Sequence, residues 1–103
     1  MPKRIYALDF DGVLCQHPPN IEWEEIKTYP PSPECVKILR YLSDFVDFYV
    51  LTARKETAEI KQWCQLYGLP DMEVTNIKRN ATAYIDDRAI RFDSWINISK
   101  LIL

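Results

Sequence analysis

The alternation of strand-like and helix-like segments constrains the fold of this chain more than any other feature of its sequence. Runs dense in β-forming residues at 4–10, 46–52 and 82–86 are separated by segments whose apolar residues recur at helical spacing. The apolar residues of the first run are consecutive, as expected for a strand that is covered on both faces. This alternation is typical of α/β domains. We therefore predict a three-layer, Rossmann-like core in which helices flank a parallel sheet.

Two helices are predicted between these strands. Ser32 is expected to be the N-cap residue of the first helix, with Pro33 at its first helical position. The second helix is predicted over residues 56–67, and Gly68 is expected to end it in a left-handed conformation.

Residues 72–77 fit the alternating pattern less well. They resemble a strand, but only about five residues separate them from the strand at 82–86, and a parallel crossover needs about a dozen or more. An edge strand, an irregular run and a very short strand all remain open. A short strand at 89–92 and a last helix capped by Ser94 are predicted to follow. The apolar residues that this helix is expected to bury are Trp95, Ile98, Leu101 and Ile102.

The size, charge and cysteine content exclude several classes of protein. At 103 residues the chain has room for one domain, predicted over 1–103 with a loop insertion or flap at 14–31. The net charge of −2 argues against a nucleic-acid or anionic-membrane partner, and no apolar run approaches the roughly 20 residues that span a bilayer. The cysteines (Cys15, Cys35 and Cys64) are far apart, which favours reduced thiols in a cytoplasmic protein.

The strongest chemical signal is Asp9-Phe10-Asp11-Gly12, directly after the first predicted strand. Residues two apart on an extended chain point the same way, so Asp9 and Asp11 should share one face while Phe10 enters the core. In open α/β sheets, ligands bind at the carboxyl ends of the strands. Two carboxylates placed there need a cation or a shared proton. Gly12 permits a turn that residues with a Cβ resist.

Polar groups also follow the other two predicted strands. The hydroxyl of Thr52 and the backbone N–H groups after it, just before a helix, are suited to holding phosphate oxygens. Asp86 and Asp87 supply hard oxygen ligands of the kind that Mg²⁺ prefers. Lys78 lies upstream of this acidic pair and could add positive charge. Three strand ends therefore present polar groups to one predicted crevice.

In chain order, these residues resemble the motifs of the haloacid dehalogenase (HAD) superfamily of phosphohydrolases. Asp9-Phe10-Asp11-Gly12-Val13 matches the first motif, Thr52 the second, Lys78 the third and Asp86-Asp87 the fourth. The resemblance spans residues 4–92. It implies a HAD-like core and phosphatase activity.

The resemblance also implies Mg²⁺ as cofactor and a two-step phosphoryl transfer. Asp9 would attack phosphorus, and Asp11 would protonate the leaving oxygen and later activate water. The ion would be held by Asp9, the backbone carbonyl of Asp11 and Asp86, with Asp87 bound to it directly or through another ligand. The groups implied to hold the phosphoryl oxygens are Thr52, the N–H of Ala53 and Lys78.

The position of Lys78 departs from the family pattern. The family's lysine usually lies further ahead of its acidic pair than the eight positions between Lys78 and Asp86. Arg54 or Arg79 could supply the cation instead. Arg54 could equally pair with the acids, so its place in a substrate site stays open.

Larger members of the family carry a cap domain, for which the stretch after Asp11 is too short. An open, capless site is therefore expected, with residues 14–31 as a substrate-facing flap. Within this flap, His17 is expected to be an exposed loop residue, although an imidazole can transfer protons near neutral pH. Trp23 is expected to anchor the loop by packing. A capless enzyme can also borrow a neighbouring subunit to cover its site, which makes a homo-oligomer compatible with the sequence.

Two other functions compete with that of a phosphatase acting on a small phosphorylated metabolite. A signalling receiver domain uses similar groups, but its acidic pair comes first in the chain and a lone Asp follows. In this chain Asp9 and Asp11 come first and the acidic pair Asp86-Asp87 comes last, so the order does not match. A phosphate- or Mg²⁺-binding module without catalysis has no chemical need for both Asp9 and Asp11.

Overall fold

The structure is a computed structural model that describes residues 3–86 and 90–102. In chain order, the elements are β1 (Ile5–Leu8), α1 (Trp23–Ile26), α2 (Cys35–Leu42), β2 (Asp47–Leu51), α3 (Thr57–Leu66), β3 (Val74–Thr75), β4 (Ala83–Asp86), β5 (Ile90–Arg91) and α4 (Trp95–Ile102). Within the described residues, five strands form one sheet in the order β3-β2-β1-β4-β5, and all pairs are parallel. The predicted α/β class with a parallel sheet is confirmed.

One face of the sheet carries the hydrophobic core. Leu8 of β1 is in register with Val50 of β2 and Ile85 of β4, and each of the three side chains is fully buried. All four described helices contribute to the same core, for example Ile26 of α1 and Trp95 of α4. The helical layer therefore lies on this face.

In the described residues, the opposite face is covered by the connecting run 76–82 and not by helices. Ala7, Tyr49 and Tyr84 share this face, because Tyr49 and Tyr84 are both in register with Ala7. The Tyr49 and Tyr84 hydroxyls donate hydrogen bonds to the backbone oxygen of Arg79, at 3.0 and 2.7 Å. The predicted three-layer arrangement is corrected accordingly: in the described residues, a helical layer covers one face and the run 76–82 crosses the other.

The run 76–82 is the short connection between β3 and β4 in the sequence. The two strands are not neighbours, because β3 pairs with β2 and β4 pairs with β1 on its other side. Their connection has only seven residues, which is too few for a helical crossover. Residues 72–77 thus contain a very short edge strand, one of the alternatives left open by the sequence.

The ends of the helices agree with the sequence-based predictions at two positions and differ at a third. Ser32 is not the N-cap residue of α2: the cap position is Glu34, and the buried Ser32 hydroxyl donates to the Val13 oxygen at 2.8 Å instead. Gly68 does follow α3 with φ +76°, and Ser94 Oγ accepts a hydrogen bond from the Asn97 N–H. These two predicted helix boundaries are confirmed. The prediction that Leu101 is buried is wrong, since it is 66% exposed.

The predicted flap at residues 14–31 packs against the core. Trp23 and Ile26 of α1 are buried, and the Trp63 indole N–H donates to the Tyr29 oxygen at 3.1 Å. Trp23 is therefore a packing anchor, as predicted, and Tyr29 also packs against the core.

The three cysteines are buried, and the structure shows no disulfide among them. Burial raises the pKa of Cys35 to about 12 and that of Cys64 to about 12. Across the described ranges, the helices lack the length and apolar character required to cross a membrane.

Candidate active site

A cavity of about 400 Å³ opens at the carboxyl ends of β1, β2 and β4. Parallel strands present their carboxyl ends at one edge, which explains why residues far apart in sequence meet there. The cavity is lined by Ala7, Asp9, Leu51, Thr52, Ala53, Asn76, Lys78, Tyr84, Ile85 and Asp86. Five of the predicted site residues, Asp9, Thr52, Ala53, Lys78 and Asp86, therefore border the same space.

The position of Asp9 follows directly from the strand before it. Its N–H donates to the Ile85 oxygen at 3.1 Å and so extends the β1–β4 ladder by one residue. Phe10 is fully buried and packs edge-on against Trp63, with ring centroids 5.1 Å apart. Gly12 adopts φ +81°, the left-handed region that favours glycine. Phe10 thus anchors the segment in the core, while Asp9 remains at the sheet edge.

The segment after β2 turns around Thr52. Thr52 is buried, and its N–H donates to the Thr75 oxygen of β3 at 3.0 Å. Its Oγ1 accepts the Arg54 N–H at 3.1 Å. These contacts hold Thr52 and Ala53 against the cavity, where a hydroxyl and backbone N–H groups can meet an anion.

The run 76–82 forms the wall that carries Lys78. Lys78 Nζ lies 4.6 Å from the centre of the Tyr84 ring, a cation–π distance. Arg79 instead forms an ion pair with Glu73 and lies over the Tyr49 ring. Of the three cations left open by the sequence, Lys78 is the one that lines the cavity.

Arg54 pairs with Asp11 beside the cavity. Its Nε lies 3.0 Å from both Asp11 carboxylate oxygens. His17 contacts the same group, with Nε2 2.7 Å from Asp11 Oδ1. The expectation that His17 is exposed is wrong, because its side chain is only 8% exposed. Neither Asp11 nor Arg54 lines the cavity, so the two predicted acids occupy different surroundings.

Cys15 lies close enough to this cluster to respond to its charges. The pKa of Cys15 is raised to about 11, chiefly by burial and in addition by the Asp11 charge, while Arg54 acts in the opposite direction. The thiol therefore stays protonated near neutral pH. Because the thiolate is the nucleophilic form of cysteine, Cys15 is not suited to attack a substrate.

The charges around the cavity suit a divalent cation and a phosphate together. Asp9 and Asp86 supply two carboxylates and Lys78 one ammonium, so the lining carries a net negative charge that repels a phosphate dianion. Mg²⁺ binds through one or two carboxylates and keeps several waters, a pattern that Asp9 and Asp86 fit. Within the described residues no group of three His, Cys, Asp or Glu side chains could hold a metal. Asp87, predicted as a further ligand, lies outside them.

Three residues of this region with polar or ionisable side chains were not predicted as site residues. Asn76 and Tyr84 line the cavity, and His17 contacts Asp11. Asn76 directly follows β3 and so carries the same signal as the predicted groups, a polar side chain at a strand end. Tyr84 and His17 lack such a signal, because their places depend on the run 76–82 and on the folding of the flap.

Comparison with known proteins identifies no relative: no family model, curated protein or solved structure matches the chain.

Proposed function

We propose that this chain is a Mg²⁺-dependent phosphomonoesterase, which acts through an aspartyl-phosphate on Asp9. The observation that carries the proposal is the shared cavity, where Asp9, Thr52, Lys78 and Asp86 meet although they are up to 77 residues apart. These groups provide a nucleophile, a phosphate cradle and candidate metal ligands at one sheet edge. Their order along the chain agrees with the resemblance to HAD phosphohydrolases.

In the first step, a carboxylate oxygen of Asp9 attacks phosphorus and the bond to the leaving oxygen breaks. Asp11 gives a proton to that oxygen, so an alcohol departs and an aspartyl-phosphate remains. The Thr52 hydroxyl, the Ala53 N–H and Lys78 hold the phosphoryl oxygens, where negative charge must be stabilised.

In the second step, Asp11 takes a proton from water while the water oxygen attacks the aspartyl-phosphate. Inorganic phosphate leaves, and Asp9 and Asp11 return to their starting states. The same carboxyl group thus serves as acid and then as base. Asp11 lies two residues after Asp9 and is paired with Arg54 outside the cavity lining, so the mechanism requires its carboxyl group to turn toward the phosphate when substrate binds.

Mg²⁺ would be held by Asp9, Asp86 and the backbone carbonyl of Asp11, with Asp87 as a further candidate ligand. When bound, the ion neutralises charge between a carboxylate nucleophile and a phosphate. Without such compensation, the net negative lining of the cavity opposes binding of the substrate.

The proposed substrate is a small phosphorylated metabolite. A volume of about 400 Å³ is within the range of small-molecule pockets, roughly 300–1,000 Å³. Trp23 and Tyr29 of the flap pack into the core, so they do not form a cover over the cavity. The proposed enzyme is therefore capless.

The direct test is hydrolysis of p-nitrophenyl phosphate with and without Mg²⁺. Asp9→Asn should abolish turnover, because an amide cannot act as the nucleophile. Asp71→Asn is the matched control: it removes a carboxylate that is 90% exposed and pairs with Lys61, away from the cavity, and it should retain activity. Chelation of Mg²⁺ should stop turnover reversibly.

The covalent intermediate can be detected separately. Borohydride reduces an acyl phosphate on aspartate to homoserine, so protein quenched during turnover should contain homoserine at position 9. Turnover by Asp9→Asn at the wild-type rate, or reduction at another carboxylate, would contradict the proposed mechanism.

A further inference from the structure

His17 is more buried than its loop neighbours, and both of its ring nitrogens make close contacts. It lies between Gln16 and Pro18, which are both exposed, yet its own side chain is only 8% exposed. Its imidazole contacts Asp11 Oδ1 through Nε2 at 2.7 Å, the shortest contact to that carboxylate in the described residues. The two-step mechanism proposed above assigns no role to this residue.

The ring is held at both ends. Nδ1 lies 2.8 Å from the Pro18 oxygen. A carbonyl oxygen can only accept a hydrogen bond, so Nδ1 is the donor in this contact. Nε2 donates to Asp11 Oδ1 as well when the ring is an imidazolium, the form in which both ring nitrogens carry a proton. Pro18 is followed by Pro19, and a residue before proline is restricted to extended conformations. The carbonyl that holds Nδ1 is therefore itself part of a stiff segment, which fixes the direction of Nε2.

The two oxygens of Asp11 have different surroundings. Oδ1 accepts contacts from His17 Nε2 and Arg54 Nε, whereas Oδ2 accepts one from Arg54 Nε within the described residues. A carboxylate has about four acceptor sites, two on each oxygen. Oδ1 is thus saturated, and Oδ2 retains capacity for one further partner.

We propose that His17 is a positioning residue for Asp11: it occupies Oδ1 and so directs Oδ2 to the leaving oxygen in the first step and to water in the second. The inference rests on the proposed function, since it assigns a partner to the proposed general acid and base. It adds that proton transfer runs through Oδ2 and depends on a contact supplied by the flap.

This role predicts an effect that depends on the leaving group. A nitrophenolate departs without a proton, whereas an alkoxide must be protonated as it leaves. The ratio kcat/KM reports the steps up to departure of the leaving group. Loss of the His17 contact should therefore lower kcat/KM for alkyl phosphates much more than for p-nitrophenyl phosphate.

The experiment compares His17→Ala with His17→Gln on both kinds of substrate. For His17→Ala, we expect kcat/KM to fall at least about tenfold with an alkyl phosphate and to stay within about twofold with p-nitrophenyl phosphate, given that general acid catalysis supplies about 10²–10⁴-fold. In His17→Gln, the introduced amide can still donate to Oδ1 and should restore most of the loss. Gln16→Ala, in the same loop, is the matched control and should match wild type.

The second step gives an independent readout. With p-nitrophenyl phosphate, His17→Ala should release a burst of nitrophenolate followed by a slower steady rate, because water attack still needs Asp11 as base. A uniform loss across substrates, or no loss in a folded variant, overturns the inference. In either case homoserine at position 9 still reports the proposed function separately.

A measurement without substrate tests the contact itself. An imidazole proton shared with a carboxylate resonates downfield of the backbone amides in ¹H NMR spectra. This signal should be present in wild type and lost in both His17→Ala and Asp11→Asn. Its absence from wild type overturns the proposed contact whatever the activity of the protein.

Discussion

The Val13 carbonyl offers a measurable test of how the loop carrying Asp11 is held. It accepts two buried hydrogen bonds, from Ser32 Oγ at 2.8 Å and from the Trp95 indole N–H at 3.2 Å. Ser32 is 4% exposed and Trp95 is 1% exposed, so water cannot readily replace either donor. These two bonds connect the segment after Asp11 to the end of the flap and to α4.

Each single substitution leaves the carbonyl with one donor. Ser32→Ala removes the shorter bond and should lower the free energy of unfolding by about 0.5–1.5 kcal/mol, the usual net value of one hydrogen bond. Trp95→Phe removes the other bond and some packing, so its own cost is larger and less specific. The double variant removes both donors and buries an unpaired carbonyl, which adds a desolvation penalty of about 1–3 kcal/mol.

The quantity to measure is therefore the coupling energy from a double-mutant cycle, which removes the packing cost of Trp95→Phe. Urea unfolding of the four proteins supplies it. With a slope of about 1–3 kcal/mol/M, Ser32→Ala alone should shift the midpoint by roughly 0.2–1.5 M. Thermal midpoints should fall by about 4–8 °C for each kcal/mol.

Ser43→Ala is the control, because its hydroxyl also donates to a backbone oxygen, that of Arg40, but on the exposed surface. This variant should stay within about 0.5 kcal/mol of wild type. The double variant should be less stable than the sum of the two single changes predicts. Additive losses, or a Ser32→Ala midpoint equal to that of wild type, would show that the Val13 carbonyl does not depend on these donors.

Three further predictions concern the cavity, the turn and the buried thiols. Lys78→Met should weaken inhibition by inorganic phosphate by at least about tenfold, since a charge-assisted hydrogen bond contributes about 1.5–3 kcal/mol. Arg79→Met, the control, should have a smaller effect. Equal effects of the two substitutions would refute the assignment of Lys78 as the phosphate-binding cation. Gly12→Ala should cost about 1–2 kcal/mol in urea unfolding from its φ of +81° alone, because an added Cβ meets no atom within 4 Å. Burial raises the pKa of Cys35 and Cys64 from 9.0 to about 12, so the folded state keeps these protons more tightly than the unfolded state. The free energy of unfolding should therefore be unchanged below pH 9 and fall as the pH rises from 9 toward 12. Cys35→Ser should show a shallower fall. A free energy of unfolding that does not change above pH 9 would contradict this prediction.

Local sequence patterns determined the elements of the fold and most of the candidate site. Consecutive apolar residues predicted β1, and helical periodicity predicted α3, because both signals arise within a few residues of the chain. Polar residues at strand ends placed Asp9 and Thr52 at one edge, since parallel strands must end together. Such inferences need only the chain direction and the alternation of side chains.

The partners of individual side chains were decided by the tertiary structure. The Ser32 hydroxyl, expected to cap a helix, bonds to Val13 because folding brings that buried carbonyl within reach. His17, expected in solvent, lies against Asp11 because the flap folds back over the turn at Gly12. Hydrogen bonds and ion pairs between distant residues depend on distances that no local pattern encodes.

The arrangement of the helices also depends partly on local sequence and partly on the tertiary structure. The sequence alone specified that strands and helices alternate and that the sheet is parallel. Only the tertiary structure decided that the described helices cover one face and that the run 76–82 crosses the other. The seven residues between β3 and β4 are too few for a helical crossover. The order of the strands, which allows so short a connection, is set by the packing of all the strands together.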